Sequence, residues 1–200
     1  MNKITLLLIV FLASSTVVWA QTFEGIIEMH QVTSNGLEYD LKWYIKGDKI
    51  AYELSSASSR GEVQMRCVPQ KSTNSMLMIS GNTKRVIPAS DITSPIGFSM
   101  EGAKLQNKGT VKHKDFSSVQ HWEISTAEIV ADVEITTDVK INFSEYKEFF
   151  KSDYGLCALA ELGQEGFPLS SVTKDKNGNV LTKTTLKKVT RTTLSDSYFK

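Results

Sequence analysis

The sequence predicts a mainly β fold: one curled antiparallel sheet of about eleven strands, forming an open half-barrel whose concave face is capped by two short helices. Three observations predict it. Apolar residues recur at every second position through most of the chain, which is the spacing of side chains on one face of a strand. Most of these runs are joined by short turn-like segments, and short links pair sequence neighbours antiparallel. One later segment is apolar around most of a helical circumference, so it needs a surface to be buried against, and the inside of a curled sheet supplies one.

The 200-residue chain opens with "MNKITLLLIVFLASSTVVWA", one lysine followed by an apolar run from Ile4 to Leu12 and an ending in Val18-Trp19-Ala20. That pattern predicts a secretory signal peptide over residues 1–20, cleaved before Gln21, with an uncleaved anchor as the alternative reading. The expected location is the periplasm or the extracellular space. Residues 21–200 then form a single domain long enough to bury a sizeable core. No later stretch is long and apolar enough to span a bilayer, so no membrane span is expected after signal cleavage. The chain carries 23 Lys and Arg against 22 Asp and Glu; without Lys3 the two are equal. The densest basic stretch, "TLKKVTR", splits its charges between two strand faces. Neither nucleic acid nor an anionic membrane surface is an expected partner.

Candidate strands lie near 22–32, 37–46, 49–55, 61–68, 75–80, 84–88, 108–115, 118–126, 129–137, 167–175 and 179–191. The most informative are those in "LKWYIKGDKIAYEL", residues 41–54. Gly47-Asp48 suits a two-residue turn. Folding there sets Ile45 opposite Ile50, Trp43 opposite Tyr52 and Leu41 opposite Leu54 on one apolar face. The other face pairs Lys42 with Glu53, Tyr44 with Ala51 and Lys46 with Lys49, and is expected to be wet. A second turn signal, Asn177-Gly178, sets Thr182 against Thr173 in a long Thr-rich hairpin.

Two segments interrupt the strands. Residues 88–107, "PASDITSPIGFSMEGAKLQN", are broken by Pro88, Pro95, Gly97 and Gly102 yet keep Ile92, Ile96, Phe98, Met100 and Leu105, so this loop is expected to pack over something. Residues 143–163 suggest two helices. Ser144 is the expected N-cap of the first, which carries Phe149 and Phe150; Asp153 starts the second, with Leu156, Cys157, Ala158, Leu159, Ala160 and Leu162, and Gly163 ends it.

Little in the chain points to chemistry. His30, His113 and His121 fall on separate expected strands with no metal-ligand spacing. There is no GxSxG, GxGxxG or P-loop motif. No catalytic residue, metal site or cofactor is implied, and an enzyme is not expected. Cys67 and Cys157 either pair or remain two buried thiols acting as small apolar side chains. Met65, Met76 and Met78 fall on neighbouring strands, as core filling or as an adaptable lining for acyl chains.

"FEGIIEM", "WYIKGDKIAYEL", "SMLMISGNTKRVI" and above all the ending "GFPLSSVTKDKNGNVLTKTTLKKVTRTTLSDSYF" resemble a family of secreted bacterial domains of unknown function grouped with the periplasmic lipoprotein-carrier (LolA-like) superfamily. The resemblance covers nearly all of residues 22–199. It departs where relatives carry a glycine-aromatic-x-cysteine element; here "SSVQHWEI" stands, with His121 near the cysteine's position. The resemblance implies an open half-barrel capped by helices, whose hollow in the superfamily's carriers holds acyl chains of lipoproteins or lipids.

The function expected from these readings is non-enzymatic binding of an apolar ligand, a lipid or lipoprotein acyl chain, in the concave face. The candidate lining is Leu41, Trp43, Ile45, Ile50, Tyr52 and Leu54, with Met76, Met78 and Phe98 as weaker members. The alternative is a structural or interaction module of the cell envelope, with a fully plugged interior and an envelope protein as partner.

Overall fold

The computed structural model describes residues 23–58, 61–92, 102–150, 155–156, 159–160, 163 and 165–200. The expected signal peptide lies outside these residues. Eleven strands form one open antiparallel sheet: β1 (Glu24–Thr33), β2 (Glu38–Lys46), β3 (Lys49–Ser58), β4 (Gly61–Gln70), β5 (Ser75–Ser80), β6 (Thr83–Pro88), β7 (Lys104–Val111), β8 (Val119–Ser125), β9 (Ile129–Thr136), β10 (Phe167–Asp175) and β11 (Val180–Arg191). Their order across the sheet is β6-β5-β4-β3-β2-β1-β11-β10-β9-β8-β7. The first and last strands therefore meet in the middle, and β6 and β7, neighbours in sequence, form the two free edges.

Each hairpin follows from its turn. Gly47 takes φ +61°, a left-handed conformation that a residue without Cβ adopts freely, and all six cross-strand pairs expected in residues 41–54 form. Thr173 likewise faces Thr182 across the β10–β11 hairpin. The ladders from β1 to β6 run without a register shift. The other wing contains shifts in the β1–β11, β10–β11, β9–β10 and β7–β8 pairings. Such bulges increase local twist and bend a strand, and here they carry that wing around the core.

One core cluster collects Ile27 and Met29 of β1, Trp43 and Ile45 of β2, Met76 of β5, Ile124 of β8, Val133 of β9 and Leu169 of β10. Inward side chains from both wings reach the same cluster, so the sheet curls around it. The cover is the segment between β9 and β10, whose Phe143, Tyr146, Phe149, Phe150, Leu156 and Leu159 are all buried in that cluster. The first expected helix is shorter than its sequence suggests: one 3-10 turn, Phe143–Tyr146. It is capped two residues earlier, by Asn142 rather than Ser144, because the Asn142 Oδ1 accepts from the Ser144 N–H at 3.2 Å and leaves Ser144 inside the turn. In the second, Gly155, Leu156, Leu159 and Ala160 are helical; Cys157 lies outside the described residues. Cys67 is a buried free thiol.

Two further expectations are corrected. The strand expected at 108–115 runs from Lys104 to Val111, which puts Leu105 in a ladder with Ile124 and leaves His113 in the connection that follows. As an edge strand with few buried positions, it lacks the period-two contrast that marks an internal one. The face of the 41–54 hairpin expected to be wet is in part dry: Tyr44 is 4% and Ala51 0% exposed. They form a second cluster with Val68, Leu77 and Leu194, with Tyr198 and Phe199 packed against it. The chain beyond β11 returns along the convex side as a strap. Leu194 N–H donates to Glu24 Oε1 at 2.7 Å, and Lys46 Nζ donates to Leu194 O at 2.8 Å. Tyr198 stacks on Tyr44 with centroids 4.5 Å apart.

Candidate functional site: the concave face

The register of β1–β6 places one row of side chains straight across the concave side: Ile27, Trp43, Tyr52, Cys67, Met78 and Arg85. A parallel row, two residues along, holds Met29, Leu41, Leu54 and Met65. Directly opposed residues of an antiparallel ladder share a face, so strand alternation makes this surface apolar.

The rows divide into a filled zone and an open one. At the filled end Trp43 is 5% exposed. Its ring centroid lies 4.9 Å from Tyr52, 5.5 Å from Phe150 and 5.4 Å from Phe167. Phe143 joins from the cover, 6.0 Å from Phe150 and 6.2 Å from Phe167. Ile45 and Ile50 are buried beside them. The Trp43 Nε1–H is buried without an acceptor among the described residues, and an unpaired buried donor costs about 1–3 kcal/mol. Tyr52 shares a hydrogen bond with the Cys67 thiol, and burial pushes the titration of both groups up.

Beyond this plug the cover thins. Leu41, Leu54, Met65 and Met78 are partly exposed, and Val63, which continues the inward alternation of β4 beside Met65, is 53% exposed. Of the residues expected to line the face, Trp43, Ile45, Ile50 and Met76 are buried in the core, Leu41, Tyr52 and Met78 pack partly against it, and Leu54 is partly exposed beside Met65. Phe98 lies outside the described residues. The plug's Phe143 and Phe167 are not among the expected lining; Phe167 carries a signal, the inward alternation Phe167-Leu169-Ser171. Toward the β10–β11 turn the concave side becomes polar: Ser171, Thr173 and Thr184 are buried, and Gln31 Nε2 donates to Thr184 Oγ1 at 3.3 Å.

The cover is held at its base and at one corner. Asn142 and Glu165 form an isolated bridge, and Gly166 N–H donates to Ile141 O at 3.1 Å. A Cβ on Gly166 would stand 3.0 Å from Thr136 O and 3.1 Å from both Ile135 Cγ2 and Leu159 Cδ2, tight contacts that a side chain there could make only if these neighbours gave by a few tenths of an ångström. At the corner, Tyr146 Oη donates to Asp48 O at 2.5 Å. Lys71 Nζ reaches Glu145 Oε2 at 2.7 Å and Asp48 Oδ2 at 3.2 Å. Burial alone would lower the Lys71 pKa; its bonds to Glu145 and Asp48 hold it well above the ordinary lysine value.

Other concavities differ in chemistry. A pocket of about 370 Å³ at the far end of the β1–β2 hairpin is lined by His30, Glu38, Asp40 and Ser55. One of about 260 Å³ borders the concave row at Met29 and Leu41, and its other walls are Glu28, Asp40, Lys42, Glu53 and Lys187. The carboxylates Glu38 and Asp40 of the first, and the charges of both signs in the second, do not suit an apolar chain. His30 is engaged by Asp40 at 2.9 Å and His121 by Asp132 at 3.1 Å. Among the described residues no three His, Cys, Asp or Glu side chains group as metal ligands.

The sequence profile of a family described as "Domain of unknown function (DUF4412)" matches residues 23–200. No curated protein matches the chain. An uncharacterized conserved protein from Thermus thermophilus has a similar structure, with TM-score 0.51 and 11% identity over 90% of this chain and 85% of that one; at that identity the likeness concerns the fold alone. Two further structures fall below a TM-score that carries weight. PNGF-II has TM-score 0.40 at 15% identity, over 89% of this chain and 30% of its own. A domain from Vibrio parahaemolyticus, provisionally named as an outer membrane lipoprotein-sorting protein domain, has TM-score 0.39 at 12% identity, over 88% and 89%.

Proposed function

This chain belongs to the DUF4412 family, and we propose that it is a non-enzymatic protein that binds an apolar ligand, a lipid or lipoprotein acyl chain, on the concave face of its half-barrel. One observation carries the reading: the strip Leu41, Leu54, Met65 and Met78 is apolar, inward-facing and incompletely covered, with Val63 53% exposed at its margin. Contiguous exposed apolar surface on a folded chain marks a place where something else is buried. An acyl chain lying there gains about 0.8 kcal/mol for each methylene removed from water. Deeper entry requires the cover to lift, which exposes Trp43, Tyr52 and Phe167 as further lining. The cover's own Phe143 and Phe150 fill that space in its absence.

The signal peptide expected at residues 1–20 supports a periplasmic or extracellular site of action, and the family resemblance read from the sequence supports the same reading. Among the described residues no helix is long and apolar enough to cross a membrane. A second reading, an envelope interaction module with a permanently filled interior, is favoured by the aromatic plug around Trp43.

The test is binding of a fluorescent long-chain fatty-acid probe to the purified protein, alongside native mass spectrometry of protein recovered from its own host. Saturable binding of about one probe per chain, lost in Met65→Asp with the unfolding transition retained, is the expected result. Folded wild-type protein that binds no probe and carries no lipid leaves the module reading in its place.

A further inference from the structure

The concave positions of β1–β6 are almost free of charge. By register they are Gly25, Ile27, Met29, Gln31 and Thr33 of β1; Tyr39, Leu41, Trp43 and Ile45 of β2; and the alternate residues of β3, β4 and β5, none of them Asp, Glu, Lys or Arg. On the convex side of the same strands Glu24, Glu28, Asp40, Lys42, Glu53 and Arg66 stand among many other charges. The separation breaks once. On β6 the partner of Met78 is Arg85, so a guanidinium stands on the concave side at the outermost strand.

Arg85 is exposed. Among the described residues it has no carboxylate within ion-pair distance, in contrast to Arg66, whose Nη2 lies 2.6 Å from Glu53 Oε1. It terminates the row Trp43, Tyr52, Cys67, Met78, four strand spacings or about 19 Å along the sheet from Trp43. Its ladder partner Met78 stands diagonally beside Met65, which joins the end of this row to the open strip. β6 is a free edge of the sheet, so this end of the row faces solvent.

We propose that Arg85 anchors the head group of the ligand, which makes that ligand a long-chain carboxylate with its alkyl chain over Met78, Met65 and Leu54 and its carboxylate at the open edge. The proposal rests on the apolar-ligand reading of the concave face. A single cation at the end of an uncharged row matches a single negative charge. The planar guanidinium presents two parallel N–H donors to the two oxygens of a carboxylate, and the water-facing edge spares that charge the cost of burial.

The experiment compares dodecanoate with 1-dodecanol, which share an alkyl length and differ in charge, on wild type and on Arg85→Gln. Arg85 is exposed, so the variant is expected to fold, and its unfolding transition is measured alongside. The expected result is that wild type prefers dodecanoate by about five- to tenfold, the worth of one partly exposed charge-assisted pair. In Arg85→Gln that preference is lost while dodecanol affinity stays the same. Equal affinity of wild type for acid and alcohol, or a preference that survives Arg85→Gln, overturns the assignment and leaves apolar binding intact. Binding of neither compound overturns both.

Discussion

Tyr146→Phe probes the claim that the cover is held separately from the sheet. The substitution deletes the hydroxyl that donates to Asp48 O at 2.5 Å and keeps the ring that packs 6.1 Å from Phe143, 6.3 Å from Phe149 and 6.4 Å from Phe150. The lost quantity is one partly buried hydrogen bond, about 1 kcal/mol net. That corresponds to about a fivefold rise in the population with the cover lifted. The neighbouring Lys71–Glu145 pair, with side chains 33% and 52% exposed, adds less than about 1 kcal/mol, so Glu145→Gln produces the smaller effect. Native-state hydrogen exchange reads the change. The Phe149 amide, bonded to Tyr146 O, and the Gly166 amide, bonded to Ile141 O, exchange about fivefold faster in Tyr146→Phe, while amides of the β2–β3 ladder do not change. Equal acceleration in cover and ladder refutes the reasoning, because cover and sheet then open only together.

Two other outcomes follow from the packing. Trp43→Ala removes the centre of the aromatic plug and lowers stability by about 3–5 kcal/mol in urea unfolding, whereas Trp43→Phe, which removes the same unpaired indole N–H but keeps an aromatic ring in the plug, costs less; a loss under about 1 kcal/mol for Trp43→Ala contradicts the filled zone. In the strap, the Lys46 side chain, followed by the charge of Lys49, holds the Asp196 carboxyl below the ordinary carboxylate range. Its contribution is therefore full above the unfolded carboxylate pKa of about 3.9 and is lost as pH falls through the lowered folded value. Tyr198 ring resonances followed downward from pH 6 report loosening of the strap in acid, and Asp196→Asn reduces this pH dependence, the remainder belonging to Glu24 at Leu194 N–H; loosening on raising the pH contradicts the assignment.

What the sequence made legible was local. The 41–54 hairpin declares its register because a Gly-Asp turn fixes the pairing and alternation then assigns every face. β7 starts four residues before its expected position because "KLQNKGTV" is an edge strand with little to bury. The 3-10 turn at Phe143 begins earlier than expected because Asn142 and Ser144 are both capping residues, and only the three-dimensional hydrogen bond separates them. The strap was illegible for a different reason. Leu194, Tyr198 and Phe199 acquire meaning only beside Tyr44, Val68 and Leu77, contacts more than a hundred residues apart in the chain. Arg85 belongs to the same class: within "NTKRVI" it is one of two surface cations, and only the ladder through Met78 distinguishes its side of the sheet from that of Lys84.

The most direct measurement is methyl NMR of the folded protein titrated with a long-chain fatty acid. Resonances of Leu54, Val63, Met65 and Met78 on the concave side shift in a saturable way, while those of Val86 and Val180, exposed elsewhere on the sheet, stay in place. Shifts confined to Val86 and Val180, or none at any of the six, contradict ligand binding inside the half-barrel.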